Sequence, residues 1–177
     1  MMYDTLCTEF YDIDKKFAPS DEVLFYKQFM NKNDLSLEAM CGSGRLLIPL
    51  IQEGYIVHGV DNSVSMLNSC KERGSKLDLG LTLFEADIEI MDLPNQYSLI
   101  LIPLGSFQLL YPRLTAFNVL KNFKKHLKLG GKIILDLFVP WDAMCENNQE
   151  EFTEREVLTP DSGKIIIKSH NITNKKE

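Results

Sequence analysis

The chain has 177 residues, 45% of them apolar and 25% charged, with a formal net charge of −6. At roughly 100–200 residues per domain this is one domain, with enough chain to bury a core without disulfide staples. The composition excludes disorder, collagen and coiled coil, and no apolar run approaches the ~20 residues of a membrane span. The acidic balance lacks the electrostatic footprint of a nucleic-acid binder. Lys121, Lys124, Lys125 and Lys128 are spaced as the solvated face of a helix. The N-terminus has no basic patch followed by an apolar stretch, so a cytoplasmic protein is expected. The four cysteines, Cys7, Cys41, Cys70 and Cys145, match no zinc pattern and read as free thiols; no metal site is expected.

Residues 3–18 are mixed in character. Pro19-Ser20-Asp21-Glu22 predicts a helix start, with Ser20 as cap and acids in the first turn, running over about 20–32. Leu35–Ala39 is a short strand that runs into Cys41-Gly42-Ser43-Gly44. Arg45–Glu53 reads as a helix stopped by Gly54. Tyr55–Val60 is a second strand ending at Asp61. Ser63 caps a helix to about Arg73, with Gly74 as its stop. Leu81–Glu85 and Leu99–Ile102 are the third and fourth strands, with a short helix or turn expected near Asp92–Gln96. Pro112 opens a helix to about Leu127, Gly130-Gly131 breaks it, and Lys132–Phe138 is a fifth strand. Beyond Pro140, Phe152–Thr159 and Lys164–Ile172 are strand-like and joined by Pro160-Asp161-Ser162-Gly163, which argues for a hairpin. Apolar strands alternating with amphipathic helices predict an α/β fold. It is a doubly wound, mainly parallel Rossmann-like sheet with helices on both faces and a C-terminal β-hairpin appendage. The expected layout is an N-terminal helical cap (1–34), a core (35–140) and a hairpin flap (141–177).

The segment Glu38-Ala39-Met40-Cys41-Gly42-Ser43-Gly44 lies between the first strand and the helix that follows it. Glycines there let backbone approach a ligand, and the new helix end offers free N–H groups to an anion. Asp61 ends the second strand about 20 residues further on, where an acid can accept hydrogen bonds from ribose hydroxyls. The dinucleotide fingerprint also needs a third glycine, but that position is Leu47, which argues against NAD. A ligand without pyrophosphate, with a charged amino-acid tail near Glu38, suits the loop better.

Leu37-Glu38-Ala39-Met40-Cys41-Gly42-Ser43-Gly44-Arg45, then Gly59-Val60-Asp61-Asn62-Ser63 with Met66-Leu67, resembles a class I S-adenosylmethionine-dependent methyltransferase. Glu85-Ala86-Asp87-Ile88 is similar to that family's third-strand end, and Leu127-Lys128-Leu129-Gly130-Gly131-Lys132 to the segment leading into its fifth strand. The resemblance covers about residues 35–140. It implies S-adenosyl-L-methionine as cofactor, with Met40, Cys41, Gly42, Ser43 and Gly44 around the methionine moiety and Glu38 fixing that end. Asp61 would bind the ribose hydroxyls with Asn62 beside it and Met66 nearby. Asp87 would contact the adenine amino group, with Ile88 packing there. Pro103 to Ser106 would line the methyl-transfer site. Met40 stands where many members have the first glycine, and Ser98 where many have an acid.

The family's usual sheet has seven strands, the last two forming an antiparallel end; only a hairpin follows the fifth strand here. It is either a flap or the sheet's own end. As a flap it leaves an apolar edge that a partner subunit can cover, giving a homodimer through the hairpin. Methyl transfer from a sulfonium needs alignment and exclusion of water more than acid–base help, and no residue declares itself a catalytic base. Tyr11 is a candidate to fold over the cofactor. Trp141 and Asp142 are candidates to meet an acceptor. His58 reads as a packed histidine and Ser106 as a loop residue. The expected function is methylation of a small molecule. The alternative is a non-catalytic nucleoside-binding protein of the same fold with an incomplete acceptor site.

Overall fold

The computed structural model describes residues 5–139, 149–159 and 163–173. In chain order the elements are α1 (Thr5–Asp14), α2 (Ser20–Lys27), β1 (Leu35–Ala39), α3 (Leu47–Gln52), β2 (Ile56–Asp61), α4 (Val64–Ser75), β3 (Thr82–Glu85), β4 (Tyr97–Ile102), a 3-10 turn (Ser106–Leu109), α5 (Arg113–His126), β5 (Leu127–Leu135), β6 (Gln149–Thr159) and β7 (Gly163–Thr173). The first five strands form one parallel sheet in the order β3-β2-β1-β4-β5. The chain winds outward one way through β1, β2 and β3, then crosses back to β4. A ligand crevice belongs at that reversal, beyond the carboxyl ends of the strands. This is the Rossmann-like, doubly wound fold that the alternation of elements predicts.

Both faces of the sheet are covered. β4 shows how, since successive side chains point to opposite faces. Leu99 and Leu101 join Val23, Tyr26, Leu47 and Leu50 in one core, beneath α2, α3 and α4. Ile100 and Ile102 join Val119 and Phe123 in the other, beneath α5. The same alternation sends Leu37 and Ala39 of β1 to the α5 side and leaves Ser36 and Glu38 buried on the opposite face.

Several boundaries differ from the sequence reading. α1 falls in the stretch read only as mixed; of its side chains only Thr8 and Phe10 are buried, so its apolar periodicity is thin. α2 starts at Ser20 with Pro19 as N-cap and no side-chain cap, and it ends at Lys27 rather than near 32. α3 starts at Leu47, because residues 42–46 form turns into the helix. Gly74 lies inside α4 and does not stop it. A Cβ there would come within 2.5 Å of Leu81, so the glycine is needed for packing. No helix forms at 92–96. Asn122 instead donates to the carbonyls of Ile88 (3.1 Å) and Met91 (2.9 Å), and His126 Nε2 accepts from Leu93 N–H (3.0 Å).

The glycine pair 130–131 does not break α5, which passes directly into β5 at Leu127. Gly130, at φ 79°, lies where the β4–β5 register slips, Tyr97 pairing with Leu127 and Leu99 with Lys132. β5 ends at Leu135, so 136–138 lie outside the strand predicted for them. β6 and β7 form the predicted hairpin as a separate antiparallel sheet. It packs against α1, with Arg155 paired to Asp14, so it is not the sheet's own end. Nothing in this pairing supports the homodimer. No helix among the described residues is long and apolar enough to cross a membrane.

Candidate active site

A cavity of about 530 Å³ opens at the carboxyl ends of β1 to β4. Its walls come from the loops after each strand: Met40 and Gly42 after β1, Asp61 to Ser63 at β2, Ala86 to Ile88 after β3, and Leu104 to Ser106 after β4. The first turn of α4 adds Met66, and α1 adds Tyr11, with Lys15 just beyond it.

The glycine loop owes its shape to two backbone demands. Met40 sits at φ 57°, in the left-handed region that favours glycine. The position that often carries glycine in the resembled family is therefore one where glycine would relieve strain. Gly44 has φ 82°, and a Cβ on it would approach Cys70 Sγ to 2.5 Å. The missing third glycine has a local counterpart on β2. Leu47 and Cys41 occupy the space where a Cβ on Gly59 would lie, 3.0 and 2.8 Å from it.

Asp61 joins the two strand ends. One carboxylate oxygen accepts from Gly42 N–H and the other from Ser63 N–H, each at 2.8 Å. Burial raises its pKa, and these backbone donors oppose that rise. Ser63 Oγ caps α4 by accepting from Met66 N–H at 3.3 Å, so the cap and Asp61 fix the same turn. Asp87 accepts from Glu89 N–H with one oxygen at 2.8 Å. A carboxylate has about four acceptor sites, so Asp61 and Asp87 both keep capacity for a ligand.

Glu38 lies behind the loop and does not line the cavity. Its side chain is enclosed, and one oxygen, Oε2, has no hydrogen-bond partner among the described residues. Burial pushes its pKa up to about 8; Arg45 opposes this, and Glu22 and Asp61 add to it. Arg45 is itself buried and makes a two-pronged pair with Glu22 on α2, at 2.8 and 2.5 Å.

Of the residues singled out in the sequence, the fold brings Tyr11, Met40, Gly42, Asp61, Asn62, Met66, Asp87 and Ile88 to one cavity. Cys41, Ser43, Gly44 and Pro103 are buried beside it and, like Glu38, are not part of its wall. His58 packs against Phe84 and Tyr97, with Nδ1 3.3 Å from the Tyr97 hydroxyl. Trp141 and Asp142 lie outside the described residues. Sequence reasoning missed Lys15, Leu109, Leu110, Tyr111 and Thr115. Only Lys15, one helical turn after Tyr11, carried a signal: spacing on a helix that was not predicted. No group of side chains suited to a metal ion occurs among the described residues.

A family model described as a methyltransferase domain matches residues 37–131. No protein of curated function matches by sequence. Among solved structures, the glycopeptide N-methyltransferase MtfA superposes with a TM-score of 0.65 at 20% identity, over 89% of this chain and 75% of that one. MtfA has also been crystallised with S-adenosyl-L-methionine and with S-adenosyl-L-homocysteine. An S-adenosylmethionine-dependent methyltransferase from Clostridium acetobutylicum ATCC 824 gives 0.67 at 17% identity, over 95% and 80%. The CcbJ methyltransferase from Streptomyces caelestis gives 0.69 at 18% identity, over 91% and 80%. The strand order, the glycine loop and the match over more than half the chain agree, and the chain belongs to the class I S-adenosylmethionine-dependent methyltransferase family.

Proposed function

We propose that the protein transfers a methyl group from S-adenosyl-L-methionine to a small-molecule acceptor. The observation that carries this reading is Asp61: its carboxylate ties the glycine loop to the end of β2 and faces the cavity with acceptor capacity to spare. That is what two adjacent ribose hydroxyls require. Glu38 stands behind the loop and outside the cavity, so it acts on the methionine end only by supporting the loop. Asp87 suits an exocyclic amine beside the apolar face of Ile88. The small-molecule part of the reading rests on the cavity's size and on the character of MtfA and similar proteins.

The cofactor supplies a methyl group on a sulfonium, already bound to a good leaving group. The chain's own residues position and enclose. Asp61 fixes the ribose, Met40 and Gly42 shape the floor, and Leu104 to Ser106 border the space where an acceptor meets the methyl group. The gain is mainly orientation and exclusion of water. Among the described residues, the cavity wall from Leu104 to Thr115 carries no carboxylate or imidazole; Asp136 accepts from Leu104 N–H at 3.0 Å and lies outside that wall. An acceptor that is nucleophilic without a strong base, such as a neutral amine, fits that wall. The test is S-adenosyl-L-homocysteine formation when the protein and cofactor are offered a panel of small amines and phenols. Acceptor-dependent product that falls at least tenfold in Asp61→Ala supports the proposal. Tight cofactor binding with no turnover on any acceptor favours a binding protein instead.

A further inference from the structure

α1 reaches the cavity with Tyr11, yet little apolar surface holds it in place. Leu6 and Ile13 are 51% and 41% exposed. Besides the Arg155–Asp14 pair to the hairpin, α1 has a polar anchor to the cofactor-binding core at one side chain, Arg73 of α4. Arg73 Nη1 donates to the carbonyl of Ser43 (2.8 Å) and to its hydroxyl (3.0 Å), inside the glycine loop. The same guanidinium pairs with Asp12 of α1 at 3.4 Å and donates to the carbonyl of Lys16. It also lies over the Phe17 ring, 4.9 Å from its centroid. Ser69, one turn earlier on α4, donates to Asp12 as well. Ser43 is fully buried, and only 12% of the Arg73 side chain is exposed. Five donors in a rigid fork let arginine hold a loop and a helix at once; lysine cannot reproduce that geometry.

We infer that Arg73 is a positioning residue for the cofactor pocket, clamping α1, and with it the Tyr11 wall, to the glycine loop. This rests on the cofactor reading above. Arg73 does not line the cavity, so its effect on binding passes through what it holds, the glycine loop on one side and α1 on the other; the inference assigns that effect to the Tyr11 side. A double-mutant cycle isolates that coupling. The parent, Arg73→Ala, Tyr11→Ala and the double variant are titrated calorimetrically with S-adenosyl-L-methionine. Arg73→Ala is expected to weaken binding about tenfold in the parent and less than about twofold in the Tyr11→Ala background. An equal loss in both backgrounds overturns the inference, as does no loss in either. Asp12→Ala keeps the bonds to Ser43 and removes the acceptor that Arg73 and Ser69 hold on α1; it should repeat the non-additivity, and it decides alone if Arg73→Ala does not fold. A folded parent that binds no cofactor removes the cofactor reading, not the clamp. Hydrogen exchange then decides the clamp: α1 amides should exchange at least about tenfold faster in Asp12→Ala while β1 and β4 are unchanged. Unaltered α1 exchange overturns it.

Discussion

Glu38 places a carboxyl in the middle of a parallel sheet, with one oxygen unpartnered and Arg45 already committed to Glu22. Burial makes its charged form costly, so the folded chain holds the proton up to about pH 8, against an ordinary value of 4.5. Between those values the native state keeps a proton that the unfolded chain has released. Stability from this group is therefore complete below about 4.5 and is lost as pH rises toward 8. Glu38→Gln removes that dependence. Its melting temperature relative to the parent should rise by several degrees between pH 5 and pH 8. An offset that is the same at both values would contradict this account. Gly44 makes a second residue-scale case. An alanine there must accept a positive φ and crowd Cys70, so Gly44→Ala should cost about 2–4 kcal/mol by chemical denaturation. A loss under about 0.5 kcal/mol would show that the loop relaxes freely.

At the scale of elements, the crossover from β3 to β4 has no helix and depends on α5. Asn122 satisfies two of its carbonyls, and His126 takes one of its N–H groups. With Nε2 accepting from Leu93, the imidazole is the neutral tautomer that donates from Nδ1 to the Asn122 carbonyl, 3.0 Å away. Asn122→Ala strands two buried carbonyls and should destabilise the fold by about 2–3 kcal/mol. It should also loosen Ile88 in the cavity wall. Asn118→Ala, which loses a bond to the Glu89 side chain, should cost far less; equal costs would contradict the crossover's dependence on Asn122. This crossover also shows what the sequence could not display. The strands were legible because continuous apolar runs such as Leu99–Ile102 have few other uses. Gly130-Gly131 was misread because a glycine pair after a helix suits both a helix stop and a shift of register within a strand; only pairing with β4 separates them. The crossover's order comes from side chains more than 25 residues away in sequence, which periodicity cannot reveal.

At the scale of the whole molecule, the cavity divides into a legible and an illegible half. Loops after β1, β2 and β3 carry glycines and acids at set spacings, so Gly42, Asp61 and Asp87 were readable. Leu109, Leu110, Tyr111 and Thr115 come from the end of the 3-10 turn, the stretch after it and the first turn of α5, with no spacing rule to mark them. The hairpin was legible as a hairpin; its docking on α1, rather than on the sheet edge, was not. Its ion pair from Arg155 to Asp14 has an exposed arginine. A pair of that kind contributes under about 1 kcal/mol, so the hairpin's seat depends on packing as well.

The most direct test of the account is calorimetric titration of the folded protein with S-adenosyl-L-methionine, with NAD as control. The account predicts saturable binding of the first and none of the second, weakened at least about tenfold by Asp61→Ala, or ~1.4 kcal/mol. No saturable binding, or binding unaffected by the loss of the Asp61 carboxylate, would contradict it.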